Sequence, residues 1–173
     1  MSLKYAHVER ERRWLLATVP ELTGAPMEIT DRYLVGTRMR LREVIQGDRV
    51  VRKLGHKVRI DSDAVEVACT NFYLDDAEWS ALSGLPARVL RKQRWRIVHD
   101  GQHVAVDVFG GRLAGLVLAE IDRGSGRDRG LPAGLDAVAE VTHEETFAGA
   151  ALAGCSRPEL VAAAAKFGMS LPD

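Results

Sequence analysis

The 173-residue sequence has only two cysteines and no long hydrophobic run. Cys69 and Cys155 lie far apart and show no Cys-x-x-Cys spacing, which argues against a zinc site or a disulfide and predicts two buried free thiols. No apolar segment approaches the roughly 20 residues that a helix needs to cross a bilayer, and the charged N-terminus does not resemble a secretion signal. We therefore expect no membrane association and a cytoplasmic location.

An excess of either charge is also absent, because 24 basic residues balance 24 acidic ones. The chain as a whole therefore has no electrostatic attraction to nucleic acid, and any charge effect must come from local segregation. Its five histidines form no His-Glu-x-x-His motif, and its glycines form no phosphate-binding P-loop. With 46% hydrophobic residues, the chain predicts one globular domain, 1–173, in which residues 137–173 supply the last strand and a C-terminal helix.

The N-terminal stretch "VERERRWLL", residues 8–16, combines dense charge with apolar residues and permits two interpretations. On a helix, Glu9 and Arg13 would form a favourable i,i+4 pair on a solvated face. On a strand, Glu9, Glu11 and Arg13 would share one face, roughly 6.6–7 Å apart, while Trp14 and Leu16 would share the other. The segment alone leaves both open.

Later segments repeat the two-residue period and favour strands. In "TRMRLREV" and "VLRKQRWRIV" basic residues alternate with apolar ones, and in "LVLAEID" two carboxylates lie one position apart. The residues that would share a face in each segment are, in turn, Arg38, Arg40 and Arg42; Lys92, Arg94 and Arg96; and Glu120 and Asp122. We also predict strands in "VEVACTNFYL", "HVAVDVF" and "AEVTHEETF", with "GGRLAG" as a hairpin connection.

Helices are few. "LDDAEWSALSG" predicts a helix capped by Asp75 with Glu78 three residues later, and "CSRPELVAAAAKFG" predicts one that is capped by Ser156 and Glu159 and ends at Gly168. The second helix would pack on the rest of the domain or on a partner subunit, so a homodimer stays open. The Gly-rich, charged stretch "DRGSGRDRGLPAGLD", residues 122–136, predicts a flexible loop.

Strands with one charged face usually turn that face to water. Here arginine-rich strands and carboxylate-paired strands occur in one sheet, which instead indicates a lined cavity. A sheet closed into a barrel would point the charged faces inward and cover its apolar outer faces with the helices. Such a lumen suits a polyanion held by cations and a metal held by carboxylates. The basic segment "RVLRKQRWRI" around Trp95 also suggests single-stranded nucleic acid, but a strand with Trp95 in the core is the simpler explanation.

The motifs "VERERRWLL", "RMRLRE", "LRKQRW", "VDVFGGRLAGLVLAEID" and "EVT" follow the order of those in the CYTH family, also called triphosphate tunnel metalloenzymes, which the chain resembles over about four-fifths of its length. The resemblance implies an α+β fold, an eight-stranded antiparallel β-barrel with a charged lumen and a few flanking helices. It also implies binding of a triphosphate compound together with Mg²⁺ or Mn²⁺. Family members include triphosphatases that act on inorganic tripolyphosphate, thiamine triphosphate or RNA, and one class of adenylyl cyclase.

The resemblance also assigns roles to particular residues. Metal ligands would be Glu9, Glu11, Glu120 and Asp122, and the catalytic carboxylates would be Glu9, Glu11 and Glu120. Phosphate ligands would be Arg13, Arg40, Arg42, Lys53, Lys92 and Arg94, with Lys57 as a less favoured alternative to Lys53. Asp107 would either orient a neighbouring cation or touch the substrate. Oxygen ligands suit Mg²⁺ and Mn²⁺, and fixed cations would stabilise charge that develops during phosphoryl transfer.

The sequence departs from the family pattern at three places. Arg13 stands where a lysine is usual, the middle strand reads "ACTN" with Thr70 and Asn71 where relatives carry glutamates, and "HEETFAGAALA" replaces a basic C-terminal segment. We therefore expect a metal-dependent triphosphatase, and keep a catalytically impaired module that binds polyphosphate or nucleotide as the alternative. An adenylyl cyclase is a third possibility, for which the sequence shows no adenine-reading signature.

Overall fold

The computed structural model describes residues 5–59, 66–99, 101–122 and 130–172. Nine strands and three α-helices form in these ranges. The strands are β1 His7–Leu16, β2 Met27–Leu34, β3 Met39–Gln46, β4 Arg49–Arg59, β5 Glu66–Tyr73, β6 Ala87–His99, β7 Gln102–Phe109, β8 Val117–Asp122 and β9 Ala137–Glu140. The helices are α1 Asp76–Ser83, α2 Gly149–Leu152 and α3 Arg157–Ala165.

The sheet closes into an eight-stranded antiparallel barrel. Its strands follow the order β5-β4-β3-β2-β6-β7-β8-β1, and the N-terminal half of β1 pairs back with β5. The ninth strand, β9, pairs with the C-terminal end of the same β1 edge, at Trp14 to Leu16. The predicted α+β barrel with a few helices is therefore confirmed, with one additional strand.

Strand alternation decides which side chains enter the barrel. The first segment is a strand, so the helical alternative for "VERERRWLL" is wrong. Glu9, Glu11 and Arg13 line the interior cavity, whereas Trp14 and Leu16 point outward into a buried cluster. The charged faces of this strand and its neighbours therefore point inward, as the sequence pattern indicated.

Two hydrophobic clusters support the barrel. The inner cluster joins apolar side chains on the inward faces of the strands, such as Leu15, Leu90 and Leu118, to Leu152 of α2 and Leu160 of α3. The C-terminal helices thus pack against an apolar part of the barrel interior, rather than covering the outer faces as expected. The outer cluster is covered instead by residues of the connecting segments, which are Leu22, Leu131 and Leu135.

Both predicted helices form with their predicted caps. Asp75 and Glu78 make a capping box at α1, and Ser156 and Glu159 make one at α3. After α3 the chain turns at Gly168, whose φ of 74° is the left-handed conformation that glycine tolerates. No helix in the described ranges is both long and apolar enough to span a membrane.

Three details differ from the sequence-based predictions or lie beyond them. In "AEVTHEETF" only the first residues join a strand, since β9 ends at Glu140 and a 3₁₀ turn follows at Glu145–Phe147. Strand β2 was not identified from its sequence. The predicted loop at 122–136 falls largely on residues 123–129, which lie outside the described residues. Both cysteines are free and buried, as predicted.

Replacing Leu15 by alanine tests the inner cluster. Leu15 is fully buried, so the substitution is expected to lower the free energy of unfolding by about 2–5 kcal/mol, through lost burial and the cavity left behind. Urea denaturation measures this, with Val98→Ala as the control: Val98 is 65% exposed, and its truncation should change stability by less than about 0.5 kcal/mol. Equal stability of the two variants would contradict the packing described here.

Candidate functional site

A cavity of about 740 Å³ lies inside the barrel. It is lined in part by residues 34–39, at the connection between β2 and β3, and by residues of the segment 142–150 that follows β9. Its inner wall carries charged side chains of five strands, which are Glu9, Glu11, Arg13, Arg40, Arg42, Lys57, Lys92, Arg94 and Glu120. The structure thus brings eight of the ten predicted site residues to one cavity, together with Lys57.

Glu9 and Glu11 share one cation, Lys57 of β4. The Lys57 Nζ lies 2.6 Å from Glu9 Oε2 and 3.9 Å from Glu11 Oε2. Burial alone would raise the pKa of Glu9, but the charge of Lys57 and its hydrogen bond lower it overall. Burial lowers the pKa of Lys57, and the charges of Glu11 and Glu9 outweigh it, so the net shift is upward. Glu9 and Lys57 are therefore ionised at neutral pH.

Glu120 lies between two arginines. Its Oε1 accepts a hydrogen bond from Arg13 Nε at 3.0 Å, and its Oε2 accepts one from Arg94 Nη2. Arg13 lies directly opposite Glu120 in the β1–β8 register, which explains the pairing. Although burial raises the pKa of Glu120, Arg94, Lys92 and Arg13 hold it well below its usual value. Glu120 is thus a charged, fully engaged carboxylate.

Asp107 binds two cations of β6, Lys92 and Arg94. It is fully buried, and it accepts hydrogen bonds from Arg94 Nε at 2.5 Å, from Arg94 Nη2 at 2.6 Å and from Lys92 Nζ. Burial, and then the charge of Arg94, lower the pKa of Lys92. Because both oxygens of Asp107 are occupied by cations, the geometry favours the orienting role over direct contact with substrate.

Asp31 is a buried carboxylate that the sequence analysis missed. It is 1% exposed, and its two oxygens accept hydrogen bonds from Arg42 at 2.6 and 2.7 Å. Its pKa is well below the usual value, because Arg42 and Arg40 outweigh the effect of burial. Its acidic side chain at an inward position of a strand could have indicated a role in the lumen. The sequence pattern did not identify β2 as a strand, so this position was not recognised.

Two predicted residues do not line the cavity. Lys53 lies on the inward face of β4, opposite Arg42, but its Nζ packs over the ring of Tyr73 at 4.8 Å. Lys57, four residues later, takes the position beside the glutamates, so the geometry favours Lys57 over Lys53 as the lysine of the cavity. Asp122 is paired in register with Glu11 but is exposed and does not contribute to the cavity wall.

The inward face of β5 carries no carboxylate in the described range Glu66–Tyr73. Register places Cys69 opposite Lys57 and Asn71 opposite Gly55, and the Asn71 side-chain amide donates to the Cys69 sulfur at 3.3 Å. Thr70 lies on the alternate face, so only Asn71 of the two middle-strand residues points inward. Glu66 pairs instead with Arg10, at 2.7 Å. The uncharged residues that distinguish this strand from the family pattern therefore include residues that face the lumen, Cys69 and Asn71.

The carboxylates offer a limited donor set for a metal. Among the described residues, no three His, Cys, Asp or Glu side chains converge closely enough to hold an ion by themselves. Mg²⁺, however, commonly binds through one or two carboxylates and completes its shell with water and substrate phosphate oxygens. Glu9 and Glu11, on the same face of β1, fit that mode, whereas Glu120 is already held by two arginines.

Replacing Glu120 by glutamine tests the buried ion pairs. The native-state pKa is depressed, so the carboxylate contributes stability above the unfolded-state pKa of about 4.3 and loses it as pH falls through the lower native value. We expect a loss of roughly 3 kcal/mol at pH 7 that shrinks below about pH 4. Urea denaturation at pH 7, 5 and 3.5 measures it.

The control is Glu43→Gln, which removes a partly exposed ion pair with Arg52 and should cost at most about 1 kcal/mol. A Glu120→Gln deficit that stays constant from pH 7 to pH 3.5 would contradict the assignment.

Comparisons with known proteins identify similar structures but no family. No protein-family model and no curated protein matches the sequence. A solved structure of the inorganic triphosphatase NE1496 is 26% identical, with a TM-score of 0.56, and the match covers 84% of this chain and 93% of that one. A second structure, of the hypothetical protein NE1496, is 24% identical with a TM-score of 0.57, covers 86% and 99%, and supports the fold alone. The chain is therefore similar in fold, and modestly in sequence, to an inorganic triphosphatase.

Proposed function

We propose that this protein hydrolyses inorganic tripolyphosphate, or a similarly compact triphosphate, inside the barrel with Mg²⁺ or Mn²⁺. The observation that carries the proposal is the convergence of six cations from four strands on one cavity. These are Arg13 of β1, Arg40 and Arg42 of β3, Lys57 of β4, and Lys92 and Arg94 of β6. The similarity to the inorganic triphosphatase NE1496 supports the same activity.

The cations would bind the phosphate chain from four strands around the lumen. Arginine donates in a planar fork that matches phosphate oxygens, whereas lysine supplies a point charge. Because the side chains rise from paired strands and are held by buried carboxylates, they need little reorganisation when substrate binds. Fixed charges of this kind stabilise the charge that develops on the leaving phosphate, which is most of what phosphoryl transfer requires.

Glu9 and Glu11 would hold the metal ion and orient the attacking water. When bound, the metal would neutralise phosphate oxygens. Lys57, now 2.6 Å from Glu9, would then be free to contact a phosphate oxygen, since its ammonium can turn about a flexible stem. Glu120 would keep Arg13 and Arg94 in place, and so support catalysis through the cations that it binds.

The first test is phosphate release by the purified protein from tripolyphosphate, ATP and thiamine triphosphate, with Mg²⁺, with Mn²⁺ and with chelator. We expect metal-dependent release, fastest from tripolyphosphate. Glu11→Ala should lower the rate by about 10²–10³-fold, the scale of a lost catalytic electrostatic group. Glu43→Ala, which removes a glutamate on the outer face of β3, is the matched control and should retain wild-type activity. Equal rates in chelator, or full activity of Glu11→Ala, would contradict the proposal.

A module that binds triphosphate without hydrolysing it is the second candidate. The observation that favours it is the inward face of β5, where Cys69 and Asn71 supply no charge. Its expected signature is calorimetric binding of tripolyphosphate by the wild type with no phosphate released under any metal condition. Turnover in the same samples would exclude this candidate and show that carboxylates on β5 are dispensable.

A further inference from the structure

Asp31 stands in the middle of β2, directly opposite Arg42 in the β2–β3 register. Its Oδ1 accepts from Arg42 Nε at 2.6 Å, and its Oδ2 accepts from Arg42 Nη2 at 2.7 Å. At 1% exposure the carboxylate makes these bonds away from solvent. One edge of the guanidinium is therefore fixed by Asp31.

This contact leaves most of the donors of Arg42 for another ligand. A guanidinium carries five N–H donors in one plane, and Asp31 takes two of them. Because the plane is fixed, the direction of the other three is fixed as well. Arg42 lines the cavity, where a phosphate group can accept two such bonds in parallel.

Arg40 has a different relation to the same carboxylate. Its Nε lies 3.4 Å from Asp31 Oδ1, which is an ion pair without a hydrogen bond. That Nε is buried and has no hydrogen-bond partner among the described residues. A buried donor without a partner is costly, and a ligand oxygen in the cavity would relieve the cost. Asp31 thus attracts Arg40 by charge and leaves this donor unused.

The adjacent pair of strands, β6 and β7, repeats the arrangement. Asp107 binds Arg94 through Nε and Nη2, the same edge that Asp31 takes on Arg42. The two aspartates come from β2 and β7. Each pairs with two cations on the neighbouring strand that are two residues apart in the sequence. The repeat of one geometry on two neighbouring strand pairs indicates a shared task rather than a local packing detail.

We propose that Asp31 is a positioning residue for phosphate binding, which acts by fixing Arg42 and attracting Arg40. The inference rests on the proposed binding of triphosphate in this cavity. The competing explanation is that Asp31 only reduces the positive charge of the lumen. The two differ in sign, because removal of a negative charge alone would strengthen the binding of a polyanion, whereas loss of orientation would weaken it.

The experiment measures tripolyphosphate affinity by calorimetry on the full chain, with chelator present so that no turnover occurs, for wild type, Asp31→Asn, Arg42→Lys and the double variant. We expect Asp31→Asn to weaken binding by about tenfold or more, the scale of one charge-assisted hydrogen bond. In the Arg42→Lys background, where the fork is absent, the same substitution should change affinity by less than about twofold. Glu43→Gln, an ion-pair loss on the outer face of the same strand, should leave affinity unchanged.

Thermal unfolding establishes that each variant is folded. During turnover with Mg²⁺, a KM of Asp31→Asn that rises more than its kcat falls supports the positioning role. Affinity of folded Asp31→Asn equal to or tighter than that of wild type would overturn the positioning role and leave the proposed function standing. Absence of binding by the wild type would overturn both. Should Asp31→Asn fail to fold, Arg42→Lys alone decides: a loss of about tenfold despite the kept charge supports the inference, and wild-type affinity overturns it.

Discussion

The pairing of buried charges inside the barrel is the interaction on which the rest of this structure depends. An uncompensated ion in a protein interior is costly, so each cation that points into the lumen needs a carboxylate within reach. Asp31, Asp107 and Glu120 meet that need for the cations of β1, β3 and β6. Without them these buried cations would lack a compensating charge.

The same pairing explains how the fold could serve phosphate chemistry. Side chains that are held by two hydrogen bonds on rigid strands are preorganised, and preorganised charges stabilise a transition state without reorganisation at the moment of reaction. The hydrophobic contacts occupy separate regions: Leu15, Leu90 and Leu118 pack with the C-terminal helices, and Trp14 and Leu16 pack outside the barrel. The hydrophobic contacts and the charged side chains that line the lumen therefore come from different residues on the same strands.

Much of this arrangement follows from the sequence, because strand alternation is a strong local signal. The period of two in "VERERRWLL" and "RMRLRE" placed Glu9, Glu11 and Arg40 on inward faces, and resemblance to a known family supplied the strand count. The parts that could not be predicted depend on register between distant strands. Asp31 acquires its role only because β2 pairs with β3, and the preference between Lys53 and Lys57 depends on barrel shear that no local pattern records. The acidic and apolar segment after β9 was predicted in part as a strand, but it leaves the sheet and lines the cavity instead.

The most direct test of the account is a crystal structure of the protein with tripolyphosphate bound, prepared under conditions that prevent turnover. We expect electron density for the phosphate chain inside the barrel, with oxygens within hydrogen-bond distance of Arg40, Arg42 and Arg94. Tripolyphosphate found only on the outer surface, with those arginines still contacting only Asp31, Asp107 and Glu120, would contradict the claim that the lumen is a triphosphate site.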